Sequence, residues 1–136
     1  MQVSERHGRY IRYALRRAND APVEQKHRLG CVIVKKNIPI SSGYNNMGKT
    51  HPRAALACYA YPYLHAELDA MIGVDVDDLH NSVAYVARRR RDHQLALAMP
   101  CEYCLAEFRR AGVKEVYYTT DAGEVDCINL RQQRRE

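Results

Sequence analysis

The chain has 136 residues, of which 46% are apolar and 27% charged. That is one ordinary domain with enough apolar mass for a core, and it excludes a disordered or fibrous chain. The net charge of +5 suits phosphate-bearing partners, either nucleotides or nucleic acid, although a solvated basic surface gives the same number.

No apolar run approaches the roughly 20 residues that span a bilayer. The segment Met1 to Arg17 is charged throughout and has no apolar signal core. The expectation is a cytoplasmic protein with no membrane partner. Five cysteines, with Cys101 and Cys104 the one close pair, make a poor disulfide framework and a reasonable metal site.

In chain order, residues 4 to 18 read as an amphipathic helix. Ser4 is its cap, and His7, Ile11, Ala14, Leu15 and Ala18 share one face. Asn19-Asp20-Ala21-Pro22 ends it. Leu29 to Lys35 is short, apolar and rich in β-branched residues, the pattern of a buried strand. Lys36-Asn37 turns the chain, and Ile38 to Tyr44 returns as the second arm of a hairpin. His51 to Tyr61 is a further helical candidate between Pro52 and Pro62. Leu64 to Gly73 reads as a helix, with Leu64, Leu68, Met71 and Ile72 as its stripe and Gly73 as its stop.

Ser82 to Arg88 alternates and reads as a third strand, and residues 89 to 99 form a basic, then apolar, connection. Pro100 opens the next helix, where its missing N–H costs little. Cys101, Cys104, Leu105, Phe108 and Ala111 share a face of that helix, and Gly112 ends it. Val113 to Thr120 and Val125 to Leu130 are the fourth and fifth strands, around the turn 121–124. The order α-β-β-α-β-α-β-β gives a three-layer α/β/α class, a mixed five-stranded sheet with helices on both faces. The whole chain, 1–136, reads as a single domain.

The chemistry is carried by His65-Ala66-Glu67 and by Pro100-Cys101-Glu102-Tyr103-Cys104. One imidazole and two thiolates suit a tetrahedral zinc, and three protein ligands with an open fourth corner mark a catalytic site. A structural zinc site would need a fourth protein ligand, and none lies in register. Cys101 and Cys104, three apart, fall on one face of a first helical turn. The positive end of a helix favours thiolate over thiol. Glu67 is not needed as a ligand. A carboxylate there can take a proton from a zinc-bound water and deliver it elsewhere. Zinc lowers that water's pKa towards about 7.

The pattern H-A-E followed by P-C-x-x-C resembles the signature of the cytidine deaminase superfamily of zinc enzymes. The resemblance covers most of the chain, including the hairpin GCVIVKKNIPISSGYN. It implies a five-stranded sheet between helices and one zinc per chain. It makes His65, Cys101 and Cys104 the ligands, and Glu67 the catalytic proton carrier. Asn45 matches the position where relatives contact the sugar, and the N–H groups of Ala66 and Cys101 would flank the attacked carbon. Asn45, Ala66 and Pro100 are candidate substrate-binding residues, and Lys49, which follows Asn45 closely, is a further one that either contacts a phosphate or covers the pocket, or else lies in an exposed loop. Relatives commonly form homo-oligomers. Some also hold a second, structural zinc, for which His51, Cys58 and His93 are the available residues.

Branch cues diverge. The four-residue turn before Val125 implies an antiparallel last hairpin, as in the free-nucleoside branch, whereas Gly43-Tyr44-Asn45 is similar to the deoxycytidylate branch. Tyr61 and Tyr63 are placed either to stack on a base or to fill the core. Arg88 to Arg91 ends the third strand near the mouth of the site, where it can clamp a phosphate, track a strand or simply be solvated. Cys31 and Cys127 read as core residues.

The expected function is hydrolytic deamination of a cytosine base in a free nucleoside or nucleotide, of deoxycytidylate or cytidine type. The small size and compact loops motivate it. The alternative is a polynucleotide deaminase acting on single-stranded DNA or RNA, or on tRNA adenosine. A zinc-stabilised binding module is a third reading, against which Glu67 stands.

Overall fold

A computed structural model describes residues 4–52, 63–92 and 94–131. Helix α1 (Glu5–Ala18) starts where Ser4 Oγ accepts the His7 backbone N–H at 3.3 Å. Glu5 lies in its first turn and Arg16 and Arg17 in its last, each sign where the helix dipole favours it. Its apolar face buries Tyr10, Ile11, Ala14, Leu15 and Ala18.

Strands β1 (Leu29–Lys35) and β2 (Ile38–Tyr44) form the expected hairpin. Lys36 and Asn37 both have positive φ, 52° and 66°, the geometry of a two-residue turn matched to the strand twist. β1 then pairs antiparallel with β5 (Val83–Arg89), and β5 pairs parallel with β7 (Glu115–Thr119). β7 closes antiparallel against β8 (Val125–Asn129), as the short turn requires. The order is β2-β1-β5-β7-β8, a mixed sheet with β5 at its centre between β1 and β7.

Two features depart from the sequence reading. Part of the 89–99 connection is a two-residue strand, β6 (Leu95–Ala96), paired with Arg88 and Arg89 of β5. Leu64, expected to open a helix, instead belongs to β4 (Tyr63–Leu64), which pairs with β3 (Asn46–Thr50) as a separate ribbon. The helical candidate at 51–61 falls largely outside the described residues.

Helix α2 (Ala66–Met71) therefore begins after His65, and a short α3 (Val76–Leu79) follows it. Helix α4 (Glu102–Ala111) begins after Cys101 rather than at Pro100, and ends at Gly112 in the left-handed conformation.

The core has two parts, one on each side of the sheet. Ile33, Leu68, Met71, Val86, Phe108 and Val116 pack between the sheet and α2 and α4. Tyr10, Ile11, Leu15, Val32, Val34 and Tyr85 pack under α1. The α/β class with helices on both faces is therefore realised. Among the described residues, no helix is long and apolar enough to cross a membrane.

Candidate metal centre and active site

Both halves of the motif sit at helix starts on the same side of the sheet. His65 occupies the cap position of α2, with extended backbone, and its carbonyl accepts the Asp69 N–H at 2.9 Å. Cys101 occupies the cap position of α4, and its carbonyl accepts the Leu105 N–H at 2.9 Å. α2 is seated by β2. The Tyr44 N–H donates to Asp69 Oδ2 at 3.1 Å, and Ser41 Oγ donates to the Ala70 carbonyl at 2.6 Å. Gly43 permits the approach, because a Cβ there would stand 2.6 Å from the Ala70 nitrogen.

His65 Nδ1 lies 4.0 Å from Cys101 Sγ and 3.7 Å from Cys104 Sγ. The ligand atoms of all three residues fall within 4.8 Å of one another, and among the described residues this is the one such group of three or more. A tetrahedral zinc with bonds of about 2.3 Å to sulfur and about 2.0 Å to nitrogen sets its ligand atoms about 3.6 Å apart. The two His65–cysteine spacings are within a few tenths of an ångström of that. The donor set of one borderline nitrogen and two thiols also suits zinc. Glu67 is outside the group, so the protein ligands leave one corner of a tetrahedron free.

The electrostatics agree. The Cys101 thiol is pulled down to about 4, first by the hydrogen bond from Cys104, with His65 and the Cys104 backbone adding to it. It is therefore a thiolate at neutral pH, the form that binds metal. Glu67 is buried at 4% exposure, and that burial pushes its carboxyl up to about 7. A carboxyl near 7 both takes and gives a proton at working pH. The ring of Tyr63 stacks on His65, with centroids 4.6 Å apart and planes at 13°. That contact fixes the imidazole plane, and periodicity offers no sign of it.

A pocket of about 160 Å³ opens on this group. His65, Ala66, Glu67 and Cys101 form its reactive wall, and Leu29, Asn45, Tyr63 and Met99 enclose the rest. Asn45 is 3% exposed, and its side chain is committed to the backbone. Its Oδ1 accepts the Leu29 N–H at 2.8 Å and its Nδ2 donates to the His27 carbonyl at 2.9 Å. Gln25 reinforces the loop by donating to the Asn45 carbonyl and accepting the Met47 N–H. Its place there depends on contacts twenty residues away in the chain, which no local pattern reports.

Lys49 lies exposed on β3 and is not among the pocket's lining residues. Pro100 is buried beside Cys101, also outside the lining. Of the residues suggested for a second zinc, Cys58 and His93 lie outside the described residues. Cys31 is fully buried, as a core residue should be, and Cys127 is half-buried on β8.

A His/Cys/Cys group gathered at two helix starts, with a buried carboxyl beside it, is a candidate metal centre. Residues 4–120 match the family described as cytidine and deoxycytidylate deaminase zinc-binding region, and the chain belongs to that family. It is 31% identical over 104 residues to a deoxycytidylate deaminase of Schizosaccharomyces pombe, an alignment covering 70% of this chain. The chain spans about a third of that relative's length, 31%.

Among solved structures, it is similar to cytidine deaminase from Burkholderia pseudomallei, with a TM-score of 0.65 and 18% identity over 93% of this chain and 94% of that one. It is also similar to the dCMP deaminase of cyanophage S-TIM5 in complex with dCMP and dUMP. There the TM-score is 0.57 and the identity 19%, over 88% of this chain and 85% of that one. At these identities the likeness shows the fold, which is the one expected from the sequence.

Proposed function

We propose that the protein is a zinc-dependent hydrolytic deaminase that converts the cytosine of a free nucleotide or nucleoside, of deoxycytidylate or cytidine type, to uracil and releases ammonia. The observation that carries this reading is the convergence of His65, Cys101 and Cys104 within 4.8 Å of one another, with His65 and Cys101 lining the same pocket as the buried Glu67. The relatives that act on deoxycytidylate and cytidine support it.

Zinc held by His65 Nδ1, Cys101 Sγ and Cys104 Sγ would supply Lewis-acid activation of a water at neutral pH. Glu67 then carries the protons. Its carboxylate accepts one from the attacking water and passes it to the ring nitrogen beside the attacked carbon. A new C–O bond forms at that carbon and the bond to the exocyclic nitrogen breaks. Glu67 moves the second proton to the departing amine, which leaves as ammonia.

The first N–H groups of α2 have no helical partners. Ala66 lines the pocket, and its N–H would hold the base. Tyr63 and Met99 supply flat and apolar surface for it. Asn45 shapes the mouth by fixing the backbone of residues 27–29 rather than by a free side chain. We further infer a homo-oligomer. The edge strand β2 leaves Ile38 and Ile40 exposed, which suits pairing with another chain.

A substrate panel tests the reading. Zinc-loaded protein is incubated with each nucleoside, its mono- and triphosphates and a mixed oligonucleotide, and ammonia and product mass are followed. Turnover of a cytosine nucleotide or nucleoside, absent in Glu67→Ala, is the expected result. No turnover of any free nucleoside or nucleotide would overturn it.

A further inference from the structure

The strongest feature outside the active site is a basic trough at the end of the sheet that carries the pocket. Three neighbouring clefts share their walls there. The first, about 210 Å³, is lined by Lys26, Arg28, Arg89, Arg90 and Arg91, together with Asn19 and Val23. The second, about 300 Å³, shares Lys26, Arg90 and Arg91 with it and adds Arg88 and Asp92. The third, about 190 Å³, runs along α1 past Arg12 and Arg16 to the same Asn19 and Arg89. Asp92 is the one carboxylate lining any of them, and it sits 3.8 Å from Arg90.

The trough is built into the same elements as the active site. Arg88 and Arg89 end β5 and pair with β6, and β6 runs directly into the loop that delivers Cys101. Arg88 pairs across the sheet with Leu29, a lining residue of the catalytic pocket. By strand alternation it shares the sheet face of Ala84 and Val86, which is the face bearing α2 and α4. Its Nε is buried with no hydrogen-bond partner among the described residues. Several of the other cations are fixed in place. Arg28 donates to the Asn19 and Ala21 carbonyls, Arg91 to the Glu24 carbonyl and Arg90 to Gln94.

Cations converging on one point suit a single phosphate. Here they are spread along α1, the 21–28 loop and the β5–β6 hairpin, which suits a row of phosphates. Exposed apolar side chains accompany them, Val23 in the first cleft and Met99 in the catalytic pocket. Val23 is 73% exposed, Leu97 45% and Met99 50%, and such surface can lie against unstacked bases.

We propose that this trough binds the sugar-phosphate backbone of a single-stranded nucleic acid beside the catalytic pocket. The strand is single because the exposed Val23, Leu97 and Met99 offer their apolar surface to bases that are unstacked and unpaired. The surface is independent of the free-nucleotide chemistry, which needs only the pocket.

The test is binding, read without turnover. Fluorescence anisotropy of a labelled mixed-sequence single-stranded oligonucleotide is measured across a salt series. The expected result is binding that weakens linearly in log–log form, by about 0.7 per phosphate contacted. Arg89→Ala/Arg90→Ala/Arg91→Ala should lose about ten-fold or more in affinity and flatten that slope. Arg12→Glu/Arg16→Glu, on a separate element, should do the same if the hairpin variant proves poorly folded. Turnover of free nucleotides by the α1 variant should be unchanged.

Three results would overturn the proposal: no salt-dependent binding, undiminished binding by both variants, or capture by anionic phospholipid vesicles without capture by the oligonucleotide. Loss of free-nucleotide turnover in the native protein would bear on the proposed function alone, since strand binding is read separately.

Discussion

His65 Nδ1 and Cys104 Sγ stand 3.7 Å apart although one residue caps α2 and the other lies in α4, 39 residues apart in sequence. Cys101 completes the triangle. Nothing in ordinary packing requires three such groups to point at one centre, whereas a tetrahedral metal does. Cys104→Ala should therefore abolish stoichiometric zinc, measured by elemental analysis, and lower the melting temperature, because metal binding contributes to folding. A variant that kept one zinc per chain would refute the ligand assignment.

Asn45 ties the mouth of the pocket to β1. Its two side-chain bonds are part-buried, and Asn45→Ala removes the acceptor of the Leu29 N–H and leaves the His27 carbonyl with Gln25 Nε2 alone. A loss of about 1–3 kcal/mol is expected in denaturant unfolding. The Michaelis constant should rise through the displaced backbone. A change in the Michaelis constant with stability intact would mean that the side chain acts on substrate directly.

The contrast between Asn45 and the metal group shows which parts of the site were legible in the sequence. His65, Glu67, Cys101 and Cys104 stand out because short spacings at helix starts already imply a shared face. The buried stripe of α1 and the apolar run of β1 are legible for the same reason, since periodicity records which face is covered. β4 and β6 are two-residue strands whose existence depends on partners elsewhere, Asn46 and Thr50 for one and Arg88 and Arg89 for the other. Leu64 accordingly reads as the start of a helix when only its neighbours are considered. The stacking of Tyr63 on His65 and the bracing by Gln25 are likewise contacts of the folded chain. Lys49 looks like a pocket residue because it follows Asn45 closely, but β3 carries it to an exposed position.

Gly43 is where β2 touches the backbone of α2. A methyl group there would meet the Ala70 nitrogen at 2.6 Å and the Ala66 carbonyl oxygen at 2.8 Å, both backbone atoms. Gly43→Ala should destabilise the fold by about 1–3 kcal/mol through overpacking. Because the displaced helix carries Glu67, turnover should fall together with stability. Thermal melts and initial rates on the same preparation check both.

His7 reports on the other face of the sheet. Its Nδ1 is 2.6 Å from the Tyr85 hydroxyl, and its ring stacks on Tyr117 at 4.1 Å. Burial, followed by the nearby Arg6, holds its pKa below the ordinary 6.5. The unfolded chain therefore takes up the proton more readily than the folded one. The stabilisation is complete above the ordinary value and is lost as the pH falls through the lowered one. Melting temperatures of the native protein should drop more steeply from about pH 7 to pH 5 than those of His7→Gln. Parallel curves would contradict this.

The central claim is that the pocket joins water to a cytosine base with Glu67 as proton carrier. The most direct measurement is the mass of the product formed from dCMP by the zinc-loaded protein in heavy-oxygen water. The account predicts dUMP carrying one solvent oxygen, ammonia in equal amount, and a rate in Glu67→Gln lower by about a hundred- to ten-thousand-fold with zinc retained. An undiminished rate in Glu67→Gln, or product without solvent oxygen, would contradict it.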